Sequence, residues 1–313
     1  MHKVAVIMNS RASHSEVTSQ EVQWLKEILF RSSIIFYSPE TLESLAECLD
    51  NIVREKFDVV VPVGGDGTFN LVVQKIAHTG IKTLPIPTGT ANDLANELGI
   101  VGKLKKAFHK IREDDFLDID LIEINGRYMV TNGGIGLAGM VAEKINDYRA
   151  QFPLFKKVMK SFDHHVYGLG MVGALSLPKM PRVDLRFFSD SVERVVNTPL
   201  FLVNNQPNIA RSFKIAPRTK NNDGLFNVSI FEHPKRIQLL KTIWQVRSGV
   251  NVESDSNFFS MEVSNCKVEV LGETPLSFFG DGEILAQGTS FDIKIHPKAL
   301  SVISSEEKLG VFR

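Results

Sequence analysis

The chain has 313 residues, 36 of them Lys or Arg and 36 Asp or Glu, so its formal net charge is zero and nothing in its overall balance draws it to nucleic acid or another polyanion. A hydrophobic content of 43% is enough for a sizeable core, in two domains at the usual domain size of about 150 residues. The two cysteines, Cys48 and Cys266, stand too far apart for a disulfide framework or a zinc site and fit a reducing, cytoplasmic setting.

The opening MHKVAVIMNS contains an apolar run too short for a secretory leader, and Lys3 to Met8 reads as a buried parallel strand. Ser19 to Phe30 places Val22, Leu25, Ile28 and Leu29 at helical spacing. A short strand at Ile34 to Tyr37, a helix over Thr41 to Lys56 and a strand over Asp58 to Val63 complete a βαβαβ rhythm. That rhythm predicts a doubly wound parallel sheet, and such sheets bind ligands beyond the carboxyl ends of their strands.

At one such end the apolar run stops at GGDGTFN, 64 to 70. Gly64, Gly65 and Gly67 let the main chain approach a phosphate closely, and the amino end of the next helix supplies N–H groups and partial positive charge. Asp66 would repel a phosphate directly. It makes sense if a Mg²⁺ lies between them or if the carboxylate orients an attacking hydroxyl. A tight turn in which Asp66 caps the helix would leave the same residues, and the cluster matches neither GxGxxG nor GxxxxGK[ST]. A second polar helix start, PIPTGTANDLANELGI from Pro85, sets Thr90, Asn92 and Asp93 around Gly89, where hydroxyl and amide groups suit a nucleotide and Asp93 suits a cap or a metal network.

From about Leu121 the pattern changes to short strands between turns, with turn signals at Asn125-Gly126 and Asp223-Gly224. This predicts an antiparallel β-rich second domain over 122–299, after a first domain over 1–121 to which 300–313 returns. Helices are expected in the second domain at Gly139 to Arg149 and Phe155 to about Leu175. The segment QFPLFKKVMKSFDHHVYGLGMVGAL interleaves Phe152, Phe155 and Phe162 with Lys156, Lys157 and Lys160, which suits an anionic membrane surface, although a surface helix with its rings in the core reads the same. His164 and His165 read as helix-end polar residues. No run approaches the roughly 18 apolar residues of a membrane span, so any membrane contact is peripheral.

Four motifs, GGDGTFN (64 to 70), PTGTANDLA (87 to 95), FKIAPRTKNNDGLFNV (213 to 228) and FFGDGE (278 to 283), occur in an order that resembles the diacylglycerol kinase catalytic-domain family, which includes sphingosine, ceramide and bacterial lipid kinases. The resemblance spans nearly the whole chain and implies a fold like that of NAD kinase and diacylglycerol kinase. It implies that Gly64, Gly65, Asp66, Gly67, Thr68, Phe69 and Asn70 hold ATP phosphates, with further nucleotide contacts at Thr90, Ser38 and Asn9. It implies that Glu283 is the general base, because a lipid hydroxyl is a poor nucleophile until a carboxylate takes its proton. A solvated residue after an Asp281-Gly282 hairpin turn is the plain alternative for Glu283.

The same resemblance implies a Mg²⁺ network of Asp66, Asp93 and Asp120, with Asp118 on the same strand face as Asp120. It further implies a structural Mg²⁺ at Asp223 with the carbonyls of Lys220 and Leu225. The chain departs from the family at NSRAS after the first strand, at Leu71 and at Asn96.

The expected activity is thus ATP- and Mg²⁺-dependent phosphorylation of a lipid hydroxyl, diacylglycerol-like, with Asp66 and Glu283 catalytic. The expected partners are the lipid acceptor and a membrane surface, with no nucleic acid and with room for a homodimer. The rivals are phosphorylation of a soluble nucleotide, as by NAD kinase, and non-catalytic lipid binding.

Overall fold

The computed structural model describes residues 2–8, 19–88, 92–137, 139–140, 180–209, 213–233, 235–248, 250, 252 and 255–303. The chain forms two compact units, Met1–Leu121 with Pro297–Arg313, and Ile122–His296.

The first unit starts with β1 (Lys3–Met8), α1 (Ser19–Ile28), β2 (Ser33–Tyr37), α2 (Leu42–Arg54), β3 (Val59–Gly64) and α3 (Asp66–Ile76). It continues with β4 (Lys82–Thr83), β5 (Ile86–Pro87), α4 (Asp93–Glu97), α5 (Leu104–Glu113) and β6 (Leu117–Ile124), the last of which runs on into the second unit. β1 pairs in parallel with β2 on one side and β3 on the other, and β3 pairs in parallel with β4 and β5. The order β2-β1-β3-β4 means that the chain moves one way from β1 and then returns past it. With right-handed crossovers this puts α1 on one face and α2 and α3 on the other, in keeping with α1 packing on α5 and α2 on α3.

Local sequence explains these elements. β1 and β3 are near-continuous apolar runs, with Val4, Ala5, Ile7, Val59, Val60 and Val61 wholly buried, as a strand covered on both faces requires. α2 begins with a capping box: the Ser44 N–H donates to Thr41 Oγ1 at 3.1 Å and the Thr41 N–H to Ser44 Oγ at 3.0 Å. Its buried Leu45, Leu49 and Ile52 form one stripe.

The second unit takes in β7 (Arg127–Met129), β8 (Asn132–Gly136), β9 (Val183–Phe188), β10 (Glu193–Thr198), β11 (Leu200–Asn204), β12 (Asn208–Ile209), β13 (Phe213–Lys214), β14 (Phe226–Phe231) and α6 (Arg236–Arg247). It then takes β15 (Phe258–Val263), β16 (Asn265–Val270), β17 (Leu276–Gly280), β18 (Glu283–Gly288) and β19 (Ser290–Val302), whose last residues belong to the first unit and pair there with β4. β10, β9, β16 and the start of β19 make one antiparallel layer. β15-β14-β11-β8-β17-β18 make a six-stranded antiparallel sheet. Between these layers lies one core that includes Phe187, Phe201, Phe226, Phe278 and Phe291, all wholly buried. The Asn125-Gly126 signal is a tight hairpin turn with φ of 48° and 85°.

α6 corrects the sequence reading, which has no helix at 236–247. Its apolar residues spread over about half the circumference and are interrupted there by Arg236 and Arg247, so no clean stripe marks it. The helices expected at 139–149 and 155–175 lie outside the described residues except for positions 139 and 140, which are helical, and so do the Phe-Lys segment, His164 and His165. No helix among the described residues is long and apolar enough to cross a membrane.

Candidate active site

The strand order brings the loops after β2, β1 and β3 side by side at the carboxyl edge of the first unit's sheet, and the direction of winding reverses between β1 and β3. That reversal separates neighbouring crossovers and opens a crevice where ligands bind in such sheets. Ser38 directly follows β2 and is exposed. Asn9, directly after β1, lies outside the described residues, as do Thr90 and the departure at 10–13.

The GGDGT loop turns directly into α3. Gly65 is the N-cap without a side-chain cap bond and Asp66 is the first helical residue, so Asp66 is not the cap of the helix. Its Oδ2 instead accepts the Asn92 N–H at 2.8 Å, which ties the glycine loop to the second polar loop. The Thr88 N–H donates to the Gly64 carbonyl at 3.0 Å and fastens the same two loops a second time. Together they line an open cleft with Pro62, Gly64, Gly65, Asp66, Phe69, Pro87 and Asn92.

Gly64 is required by close approach rather than by φ. A Cβ there would lie 2.6 Å from both Cβ and Oγ1 of Thr68, on the first turn of α3. The amino end of α3 is therefore drawn against the end of β3, and a helix start has N–H groups with no intrahelical partner. A phosphate fits such a cradle. Phe69 and Asn70 lie deeper: Phe69 is 6% exposed and Asn70 wholly buried, its Oδ1 accepting from Gln74 Nε2 at 3.1 Å.

Sequence reading passed over Thr88. Its hydroxyl is buried without a hydrogen-bond partner, in the residue whose N–H is fastened to Gly64 of the glycine loop. The only hint in the sequence was its place in PTGT.

α4 begins at Asp93 with Asn92 as N-cap in the left-handed conformation, φ 51°; the Asp93 side chain lies outside the described residues. Asp120 is wholly buried and its Oδ1 accepts the Lys298 N–H at 2.8 Å, whereas Asp118, two residues earlier on the strand, is exposed and accepts from the Ser301 hydroxyl. Asp66 and Asp120 thus bond different segments, and among the described residues no group of three or more His, Cys, Asp or Glu gathers as a metal would need.

In the second unit, FFGDGE forms the β17–β18 hairpin. Gly280 and Glu283 face each other across a two-residue turn in which Asp281 has φ 50° and Gly282 φ 84°. The turn is held by the Asp281 carboxylate, which is 7% exposed. Its Oδ2 accepts the Val130 N–H at 2.7 Å, and its Oδ1 accepts the Thr131 N–H at 2.8 Å and the Thr131 hydroxyl at 2.6 Å. The strand beside it, β8, has glycines because nothing larger fits: a Cβ on Gly133 would meet the Phe279 carbonyl at 2.2 Å.

This scaffold delivers Glu283 to the first position of β18, where it is half-buried. Burial pushes its carboxyl pKa up, the Arg127 charge pulls it down, and Asp281 adds a smaller upward push. The net result is a carboxyl raised above its ordinary value, as a general base for a hydroxyl needs. Arg127 Nε is itself buried without a hydrogen-bond partner.

The turn at 219–225 carries side-chain oxygens of Thr219, Asn221, Asn222 and Asp223, the ligand type of a hard cation, together with the Lys220 ammonium. Asp223 is exposed and its Oδ1 accepts the Leu225 N–H at 3.1 Å, while Thr219 Oγ1 and Asn221 Oδ1 are buried there without a hydrogen-bond partner.

Comparison with known proteins bears on the family and the fold. The family model for the diacylglycerol kinase catalytic domain matches residues 3–124, and the model for the YegS C-terminal NAD kinase beta sandwich-like domain matches residues 135–304. The chain is 27% identical to a diacylglycerol kinase of Staphylococcus haemolyticus over 246 residues, covering 73% of this chain and 70% of that protein. It is 27% identical to a diacylglycerol kinase of Staphylococcus aureus over 259 residues, 77% of this chain and 78% of that one. A solved diacylglycerol kinase structure from Bacillus anthracis str. Sterne matches with a TM-score of 0.70 at 16% identity, over 99% of this chain and 98% of that one, a likeness of fold.

Proposed function

The chain belongs to the diacylglycerol kinase catalytic-domain family, a family of lipid kinases, and from that premise we propose that it transfers the γ-phosphoryl group of ATP to the hydroxyl of a diacylglycerol-like lipid. The reading is carried by what each unit holds by itself: a helix-start phosphate cradle at Gly64 in the first, and a half-buried, raised carboxyl at Glu283 in the second.

In this reading Gly64, Gly65, Gly67 and Thr68 present main-chain N–H groups to the ATP phosphates, and Thr88, Thr90, Ser38 and Asn9 contact the nucleotide. Glu283 takes the proton of the lipid hydroxyl as it attacks the γ-phosphorus in line, and the bond to the leaving ADP oxygen breaks without a covalent enzyme intermediate. Asp281 does not touch substrate; it fixes the turn that aims Glu283. Asp66 orients the hydroxyl or the metal, with Asp93 and Asp120 extending the acidic set. A bound Mg²⁺ would supply charge neutralisation at the phosphate oxygens. The Asp223 carboxylate with the Lys220 and Leu225 carbonyls would hold a second, structural ion. Cys48 and Cys266, both free thiols, suit a reducing cytoplasmic setting with peripheral membrane contact.

The test is transfer from labelled ATP with Mg²⁺ to diacylglycerol, ceramide, sphingosine and phosphatidylglycerol in mixed micelles, with NAD in a parallel tube and Glu283→Gln as control. Label in a lipid that disappears with the variant supports the reading. Label in NAD alone overturns it in favour of a soluble-nucleotide kinase, and transfer to none of them favours a lipid-binding protein.

A further inference from the structure

α6 buries one side and leaves an apolar stripe on the other. A helix advances about 100° per residue, so Ile237, Leu240, Lys241 and Trp244 share one face and Leu239 and Thr242 lie across from them. The burial follows that division: Leu239 is 0% and Thr242 1% exposed, whereas Ile237 is 75%, Leu240 41% and Trp244 67% exposed.

The inner side is fastened. The Thr242 hydroxyl lies 2.9 Å from His233 Nε2 and donates to Asp255 Oδ2 at 3.0 Å, while His233 Nε2 lies 3.0 Å from that same oxygen. The exposed stripe is thus presented by an anchored helix. From Lys235 to Val252 the sequence has four cations, Lys235, Arg236, Lys241 and Arg247, and no acidic residue, in a chain whose net charge is zero.

We propose that the outer face of α6 is a docking surface for an anionic lipid bilayer, with Ile237, Leu240 and Trp244 entering the headgroup boundary and Lys235, Arg236 and Lys241 meeting lipid phosphates. This partner rests on the reading of the protein as a lipid kinase, whose acceptor lies in such a surface. Charge complementarity favours a bilayer over a second copy of the chain, because a two-fold pairing of this face would set cation against cation. Large apolar side chains flanked by lysines are the composition of helices that lie in a membrane interface, where an indole sits at headgroup level.

Trp244 provides the test, since the only other tryptophan is Trp24. In the full chain carrying Trp24→Phe, emission is recorded on adding vesicles of phosphatidylcholine alone or mixed equally with phosphatidylglycerol. A blue shift with the anionic vesicles only, reversed by salt, is expected. Ile237→Ser with Leu240→Ser should weaken vesicle co-sedimentation about tenfold, and so should Lys235→Glu with Lys241→Glu.

Unchanged Trp244 emission with vesicles that bind the protein overturns the proposal. Sedimentation velocity that finds a dimer broken by Ile237→Ser assigns the face to self-association instead. Activity separates this inference from the kinase reading. The stripe variants should lose transfer to long-chain diacylglycerol in vesicles and keep transfer to a water-soluble short-chain diacylglycerol. Equal transfer by variant and parent in both assays leaves the kinase standing and removes the docking face. No transfer by the parent to either acceptor removes the kinase reading, and the emission shift still decides the docking.

Discussion

In the loop after β3 one aspartate both clasps a second loop and lines the cleft, whereas in the β17–β18 hairpin the bonded carboxylate and the raised one are different residues. Asp66 holds the Asn92 N–H and also lines the cleft. In the hairpin, Asp281 takes three hydrogen bonds and fixes the turn, which leaves Glu283 half-buried with a raised carboxyl. The two hairpin carboxylates thus have different surroundings: Asp281 is enclosed by donors, as suits a structural group, and Glu283 is partly buried with a raised pKa, as would suit a reactive one. It follows that substitutions in the hairpin should separate stability from activity, and substitutions in the glycine loop should not separate them cleanly.

The largest effect expected is on Glu283. Glu283→Gln should lower kcat by about 100- to 10,000-fold, the usual worth of a general base. Its folded pKa is raised, so its contribution to stability is full below the unfolded carboxylate pKa and is lost as pH rises through the folded value. At neutral pH the amide should therefore hold or raise the melting temperature. A variant that loses activity by unfolding would end the separation of stability from activity.

Asp281→Ala strands three donors that the carboxylate now satisfies and should cost about 3 kcal/mol of stability in denaturant titration. A loss under about 1 kcal/mol would mean that the turn is held by something else.

Asp66 tests the shared case. Asp66→Asn can still accept the Asn92 N–H, so the fold should survive while transfer falls about 100-fold, as expected when an electrostatic group is lost from the site. Full activity in the amide variant would make Asp66 a scaffold residue and erase the contrast between the two regions.

Gly64→Ala should cost about 1–3 kcal/mol by driving a methyl into Thr68, with weaker ATP binding in the same variant. Smallest is Arg127→Gln, which removes the charge that opposes burial at Glu283. The acidic limb of the kcat/KM profile should then move to higher pH, and a limb that stays in place would take Arg127 out of the tuning of the base.

Much of this was readable because it rests on local rules. The valine run of β3, the stripe of α2 and the glycines at 64, 65 and 67 each follow from neighbours within a few positions. α6 was not readable, since its buried Leu239 and its exposed Ile237, Leu240 and Trp244 cancel any single-face pattern. Nor could period two separate Asp118 from Asp120. Both fall on one face, yet only Asp120 is wholly buried against the Lys298 N–H, a partner 178 residues away.

The sequence by itself determined the parallel and antiparallel halves, the turn residues and the four motifs, because strand periodicity, glycine tolerance and helix-start chemistry act over a few residues. Only the tertiary structure decided what surrounds each carboxylate. Whether Asp66 caps a helix or clasps a second loop, and whether Glu283 is solvated or raised, depends on which distant backbone donors and charges lie within hydrogen-bond or Coulomb range. The outward face of α6 was decided in the same way, by which side the His233–Asp255–Thr242 contacts turned inward.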